Sequence, residues 1–229
     1  MKKKLVVLTG AGISAESGIK TFRDGDGLWE GYDVTEVASP EGWKRNSSLV
    51  LDFYNIRRKQ ALEALPNTAH KGLAELEQWF DVEVITQNID DLHERGGSSK
   101  VTHLHGEIFK MRSAKSLAPS FEIKGDIHIG DLAPDGAQLR PDIVWFGEAV
   151  PMIEKAIAIT RKADIFVVIG TSLVVYPAAG LIDTAPFHSK KFVIDKNIPS
   201  VQHVSHLITI EKPATEGVKE LTGILKTML

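Results

Sequence analysis

Hydrophobic positions along this chain follow two rhythms. Four short stretches, KLVVLT (4–9), DVEVIT (81–86), DIFVVIG (164–170) and KFVID (191–195), are near-continuously apolar and bounded by Gly, Asp or Asn. Strands buried on both faces of a parallel sheet look like this, because neither face alternates with water. Between them, over roughly 48–65, 67–79, 151–162 and 215–228, the pattern is helical. Strand alternating with helix predicts an α/β doubly wound parallel sheet. Two stretches break the rhythm. The first strand ends near Thr9 and the next begins near Asp81, far more than the dozen or so residues a crossover takes, so most of 30–75 reads as an inserted helical module. Residues 111–138 are polar and rich in Gly, Pro and Asp, with two short strands expected around Glu122 and Ile127.

Composition narrows the class. With 229 residues, 43% hydrophobic and 25% charged, the chain can bury one sizeable core, or one core with a small appended lobe. A formal charge of −3 offers no broad attraction to nucleic acid or to an anionic membrane, and neither is expected as a partner. No stretch approaches the ~20 apolar residues that cross a bilayer. The apolar run Leu5 to Leu8 behind MKKK is too short for a signal peptide. The absence of cysteine excludes disulfides and thiolate metal sites and fits a soluble, cytoplasmic protein.

The first chemical signal is LTGAGISAESG, behind the first strand. Gly10 and Gly12 permit a tight turn and close approach of a phosphate. Ser14, Ala15 and Glu16 are expected to open a helix whose amides face anionic oxygens. The spacing departs from the dinucleotide fingerprint of dehydrogenases: Gly18 follows Gly12 by six residues instead of three, and no acidic residue ends a second strand about 20 residues on. A second signal is FYNIRRKQ (53–60). On a helix Tyr54 and Arg57 share a face, and a phenol beside a guanidinium can grip a carboxylate. Arg58, four from Tyr54, can share that face too.

GAGISAESGIKTFR (10–23), TQNIDDLHERGG (86–97), HGE (105–107), LRPDIVWFGE (139–148) and GTSLVVYPAAGL (170–181) together resemble the motif set of sirtuins, the NAD-dependent protein-lysine deacylases. The resemblance implies a Rossmann-like large domain, residues 1–31, 76–110 and 139–229, and a small domain made of two insertions, 32–75 and 111–138. It implies that NAD is the cofactor and that acylated protein lysines are the substrate. His105 matches the base that takes a proton from a ribose hydroxyl, a task suited to a side chain with an unperturbed pKa near ~6.5. By the same resemblance Gly10, Ala11, Gly12, Ser14, Glu16, Phe22, Arg23, Gln87, Asn88, Ile89, Asp90, Gly170, Thr171 and Ser172 line the NAD site. Within it, Asn88 and Asp90 hold the nicotinamide amide. Phe22 would cover the reacting carbon. Asp195 stands where the family usually has Asn near the adenosine ribose, with Asn197 as a substitute, and Ala214 occupies the place of a backbone contact to adenine. Val144, Trp145, Phe146 and Gly147 resemble the loop that pairs with an extended substrate peptide. His103 and His93 read as structural.

Tyr54 and Arg57 match the Tyr-x-x-Arg pair of the sirtuin branch that prefers succinyl, malonyl and glutaryl lysine, with weaker deacetylation alongside. The implied products are nicotinamide and O-acyl-ADP-ribose. The family's structural zinc pairs would fall at Ser113 and Ser116 and near Leu132 and Asp135, none of them thiols. No metal site, and no zinc, is therefore expected, and Leu117, Phe121, Ile123, Ile127 and Ile129 are expected to pack the second insertion instead. Two other activities stay open at this point: a sirtuin-like mono-ADP-ribosyltransferase and a non-catalytic NAD-binding module.

Overall fold

A computed structural model describes residues 2–20, 28–29, 31–201 and 204–229. Six strands form one wholly parallel sheet: β1 (Lys4–Thr9), β4 (Asp81–Thr86), β5 (Val101–His103), β9 (Ile165–Ile169), β10 (Lys190–Asp195) and β11 (Leu207–Glu211). Their order is β11-β10-β9-β1-β4-β5. Strand order reverses between β1 and β9, and open α/β sheets bind ligands in the crevice at that point, beyond the carboxyl ends of the strands. The short pair β2 (Leu28–Trp29) and β3 (Tyr32–Asp33) is antiparallel, as is a three-stranded sheet of β7 (Ser120–Glu122), β6 (Gly106–Ser113) and β8 (Leu139–Ile143). Pro141 lies in β8, an edge strand of that small sheet, where a missing N–H is tolerated.

The continuous apolar runs are explained by burial on two sides. Leu5 and Val7 of β1 face one core and Val6 and Leu8 the other. The first core is closed by α4 (Thr68–Glu75) and α8 (Ala214–Lys226), through Ala69, Leu73, Val218, Leu221 and Leu225. The second is closed by α6 (Ile153–Thr160) and α7 (Leu181–Thr184), through Ala156, Leu181 and Ile182.

The first irregular stretch is helical: α1 (Val34–Val37), α2 (Pro40–Arg45) and α3 (Ser47–Glu63) precede α4. Asn46 caps α3 by accepting from Leu49 N, and Asn67 and His70 form a reciprocal capping box on α4. A short helix, α5 (Leu92–Arg95), follows β4, and Arg95 ties it to α3 through the Ala61 and Ala64 carbonyls.

The second irregular stretch differs from expectation. A strand forms at Ser120–Glu122, but none forms at Ile127. The Ile127 backbone pairs with a side chain instead: its N–H donates to Asn55 Oδ1 and its carbonyl accepts from Asn55 Nδ2, both at 3.0 Å. Ile127 is buried with Leu51, Ala133 and Leu139, and Phe121 and Ile123 pack against that cluster. Leu117 and Ile129 do not: they are 64% and 57% exposed. Arg58 is fully buried and serves this lobe, donating to the Ile108, Asn55 and Gly125 oxygens. It is therefore no part of a carboxylate grip. Burial pulls its pKa down to about 10, with the Asp126 charge opposing.

Candidate active site

Along one rim of the large sheet the loops after β1, β4, β9 and β10 bring the candidate cofactor residues together. Gly12 N donates to the Gly170 carbonyl at 2.9 Å. A methyl at Gly12 would stand 2.6 Å from Gly170 Cα, and one at Gly10 would stand 2.7 Å from Thr171 Cβ. Gly170 itself has φ 65°, a value that favours glycine. These glycines thus let two loops touch at the switch point, a reason different from the phosphate approach inferred from spacing. No helix opens at Ser14–Glu16. Two single 3-10 turns, Ala11–Ile13 and Ala15–Ser17, stand there. The Glu16 carboxylate accepts from Thr215 N and Oγ1 at 3.1 and 2.8 Å, beside Ala214 at the start of α8. Asp195 ends β10, buried, with Oδ1 accepting from Asn197 N. Phe22 and Arg23 lie outside the described residues.

The loop after β4 carries the densest chemistry. Asn88 Nδ2 donates to Ser14 Oγ at 3.0 Å, and Ser14 Oγ donates to Asp90 Oδ2 at 3.1 Å. Burial raises the Asp90 pKa, against the Leu92 amide and the Ser14 hydroxyl. Gln87 Nε2 donates to Thr171 Oγ1 at 3.2 Å, joining the β4 and β9 loops. His105 Nδ1 lies 3.1 Å from the Gln87 carbonyl. A carbonyl only accepts, so Nδ1 carries the proton and Nε2 keeps its lone pair. Nε2 makes no hydrogen bond among the described residues. Burial lowers the His105 pKa, and the Gln87 carbonyl opposes this less strongly. The ring is therefore a neutral base near pH 7.

Sequence reasoning missed a buried polar layer beneath this loop. Thr9 Oγ1 bonds Thr86 Oγ1 and His93 Nε2, each at 2.9 Å, and Thr86 Oγ1 accepts from Asn88 N at 3.0 Å. The His93 ring packs edge-on against His70, centroids 4.9 Å apart. Burial pulls His93 well below the histidine range and His70 down to about 4, so both are neutral. Thr9 and Thr86 ending adjacent strands in register was the only available signal.

A second group of residues lies around α3. Tyr54 is 1% exposed, and its hydroxyl accepts from Trp145 Nε1 at 3.1 Å. Burial raises its pKa, against that hydrogen bond. Arg57 lines a pocket of about 20 Å3 with Ile19, Gln60, Ala61, Ile89, Asp90 and Ile108. Arg57 therefore shares a pocket with Ile89 and Asp90 of the β4 loop, while Tyr54 does not line it.

In the loop after β8, Val144 N donates to the His105 carbonyl, Trp145 N to Glu148 Oε2 and Phe146 N to the Ala38 carbonyl. Arg140 holds Glu148 with both terminal nitrogens, at 2.7 and 3.1 Å, and its guanidinium carbon lies 3.1 Å from the Trp145 ring centroid. Three amides that sequence assigned to a peptide-pairing edge are thus engaged within the chain. Phe146 stands 47% exposed beside buried Trp145, and Gly147 has φ 89°.

The zinc positions do not fit zinc. Ser113 Oγ donates to Asp135 Oδ2 at 2.6 Å and accepts from Lys115 N, and Ser116 Oγ donates to the Ala118 carbonyl. Leu132 offers no ligating side chain. Hydroxyls and a carboxylate committed to one another are not the sulfur and nitrogen set a structural zinc takes. Among the described residues no helix is long and apolar enough to cross a membrane.

Known proteins resemble the whole arrangement. The Sir2 family profile matches residues 10–177. An NAD-dependent protein deacylase of Helicobacter pylori (strain ATCC 700392 / 26695) is 53% identical over 219 residues, 96% of each chain. One of Bacteroides thetaiotaomicron is 55% identical over 230 residues, covering 97% of this chain and 98% of the relative. A solved complex of a Sir2 homologue with NAD is 37% identical, has a TM-score of 0.88, and covers 99% of this chain and 91% of that one. A Sir2 structure bound to a propionylated peptide is 28% identical with a TM-score of 0.79, over 98% and 94% of the chains.

Proposed function

We propose that this chain, which belongs to the Sir2 family and is an NAD-dependent protein deacylase, acts best on lysines whose acyl group ends in a carboxylate. Succinyl, malonyl and glutaryl lysine are the substrates, deacetylation is slower, and the products are nicotinamide and O-acyl-ADP-ribose. The observation that carries this reading is the pocket in which the Arg57 guanidinium stands with Ile89 and Asp90, one helical turn from Tyr54. A charge-assisted hydrogen bond to the acyl carboxylate is worth about 1.5–3 kcal/mol, a preference of about ten- to hundredfold. At about 20 Å3 the pocket seats a water molecule, so substrate entry widens it.

The cofactor residues fit a dinucleotide. The touching loops at Gly12 and Gly170 leave the crevice where the sheet changes direction, and Asn88 and Asp90 offer the donor and acceptors a carboxamide needs. Gly10, Ala11, Gly12, Ser14, Gln87, Gly170, Thr171 and Ser172 would hold the ribose and phosphates. Glu16 with Ala214 and Asp195 with Asn197 would border the adenosine end. Bound NAD would supply the ribose carbon that receives the acyl oxygen, with nicotinamide as leaving group. His105 takes the proton of a ribose hydroxyl on Nε2, while Gln87 holds Nδ1. Arg57 and Tyr54 fix the acyl tail, and Phe146 and Gly147 border the peptide.

On this reading residues 1–31, 76–110 and 139–229 form the NAD-binding unit, and 32–75 with 111–138 the smaller lobe, which needs no zinc. A cysteine-free chain of this kind suits the reducing cytoplasm. The test is a panel of matched acetyl, malonyl, succinyl and glutaryl peptides with and without NAD, read by mass spectrometry. The expected result is NAD-dependent loss of acidic acyl groups faster than acetyl, and equal rates across the panel would refute the preference. A peptide gaining ADP-ribose would instead mark a transferase.

A further inference from the structure

His103 ends β5, pairs in register with Thr86, and touches two acceptors. Nδ1 lies 3.0 Å from the Asn88 carbonyl oxygen, and Nε2 lies 2.8 Å from Glu94 Oε1 on α5. Neither partner brings a proton. Both ring nitrogens must therefore donate, and only an imidazolium can do so. The side chain is 8% exposed and that of Glu94 42%. Burial alone would lower the His103 pKa, but Glu94, the Asn88 carbonyl and the Glu107 charge outweigh it and the pKa is raised. The other titratable groups facing His103 are Asp90, from the loop after β4, and His93, from α5. Lys110 of β6 faces Glu94.

The Asn88 carbonyl belongs to the residue next to Gln87, whose own carbonyl orients His105. Two histidines thus grip two consecutive carbonyls of one loop, and the same Asn88 reaches Ser14 with its side chain. We infer that the His103–Glu94 ion pair is a positioning device for the nicotinamide end of the NAD site, holding the loop from Gln87 to Asp90 where Asn88, Asp90 and His105 can act together. The inference rests on the roles given to Asn88 and His105 above. When His103 loses its proton, a ring lone pair must face either the carbonyl or the carboxylate, and one of the two bonds breaks. The loop is anchored below the raised pKa and loses its anchor as pH rises through it. Protonation of His105 acts on the opposite, acid side.

The experiment is steady-state kinetics on an acetylated peptide with NAD varied, from about pH 6 to about 9.5, for the native enzyme, Glu94→Gln, His103→Gln and His105→Ala. In the native enzyme KM for NAD is expected to rise about tenfold on the alkaline side. Glu94→Gln keeps an acceptor but drops the charge, and should bring that rise about one pH unit lower. His103→Gln should show the raised KM throughout, without the rise. In both variants kcat at saturating NAD changes less than KM. Glu94→Gln and His103→Gln profiles that superimpose on the native one overturn the inference, whatever happens to their melting temperatures. If His103→Gln does not fold, the Glu94→Gln profile decides alone. Turnover surviving in His105→Ala would overturn the reading of His105 and the inference with it. Turnover lost there with an unmoved Glu94→Gln profile would overturn the inference only.

Discussion

The Trp145 indole N–H donates to the Tyr54 hydroxyl at 3.1 Å and so joins the middle of α3 to the loop after β8. Both side chains are almost completely buried. Tyr54→Phe would leave that N–H without its acceptor, at a cost of about 1–3 kcal/mol. Denaturant unfolding should show the loss, and desuccinylation should fall more than deacetylation in the same variant.

Arg57→Met keeps much of the side chain's apolar length and removes the charge. The ratio of kcat/KM for succinyl over acetyl peptide should drop at least about tenfold. Matched losses on both peptides would show that the guanidinium supports the fold and does not read the acyl tail.

The base role proposed for His105 requires a neutral ring, and burial holds its pKa below the ordinary value of 6.5. The acid limb of log kcat/KM should therefore have its midpoint below about pH 6.5. A limb centred above neutrality would mean that another group supplies the base.

Gly12→Ala sets a methyl 2.6 Å from Gly170 Cα, a backbone atom that cannot swing aside. Gly170→Ala adds strain at a positive φ and meets the Gly12 backbone at 2.7 Å. Each should lower the melting temperature and weaken NAD binding at least about tenfold, measurable by calorimetry. Gly223→Ala, where nothing lies within 4 Å, is the control and should not destabilise, since alanine is the better helix former.

Asp135 is held below its usual range first by the Ser113 hydroxyl and then by the Ala137 amide. A depressed carboxyl contributes stability that is present above its unfolded value, near 3.8, and lost as pH falls through the folded one. Asp135→Asn and Ser113→Ala should blunt that acid sensitivity and lower stability at pH 7. A metal chelator should leave the native melting curve in place. A chelator-induced shift would contradict the hydroxyl–carboxylate link as the tie in this lobe.

Much of the large sheet was legible because β1, β4, β9 and β10 are buried on both faces over most of their length and so are near-continuously apolar. At three residues β5 is too short to show as an apolar run, and β11 does not show as one because it is an edge strand with Ile208 40% exposed. Ile127 reads as a strand residue but is held by the side chain of Asn55, a partner that no local pattern indicates. The residues of the β4 loop stood out by motif, whereas the contacts that anchor the loop did not. Thr9, His93 and the His103–Glu94 pair matter through contacts between elements. Gly10 and Gly12 stood out for their flexibility, but the close packing of Gly170 and Thr171 against them, from far along the chain, was not legible in the local pattern.

That contact between the start of the chain and its final third bears on biosynthesis. The wall of the crevice is made of backbone from both sides, so a ribosome-bound chain that has not yet reached β9 can pair β1 with β4 but has nothing to seat the glycine turn on. Contacts of such long separation slow folding and leave partial chains exposed. NAD, arriving at the crevice, would act as a late clamp on nascent molecules, favouring those that have finished over those that have not.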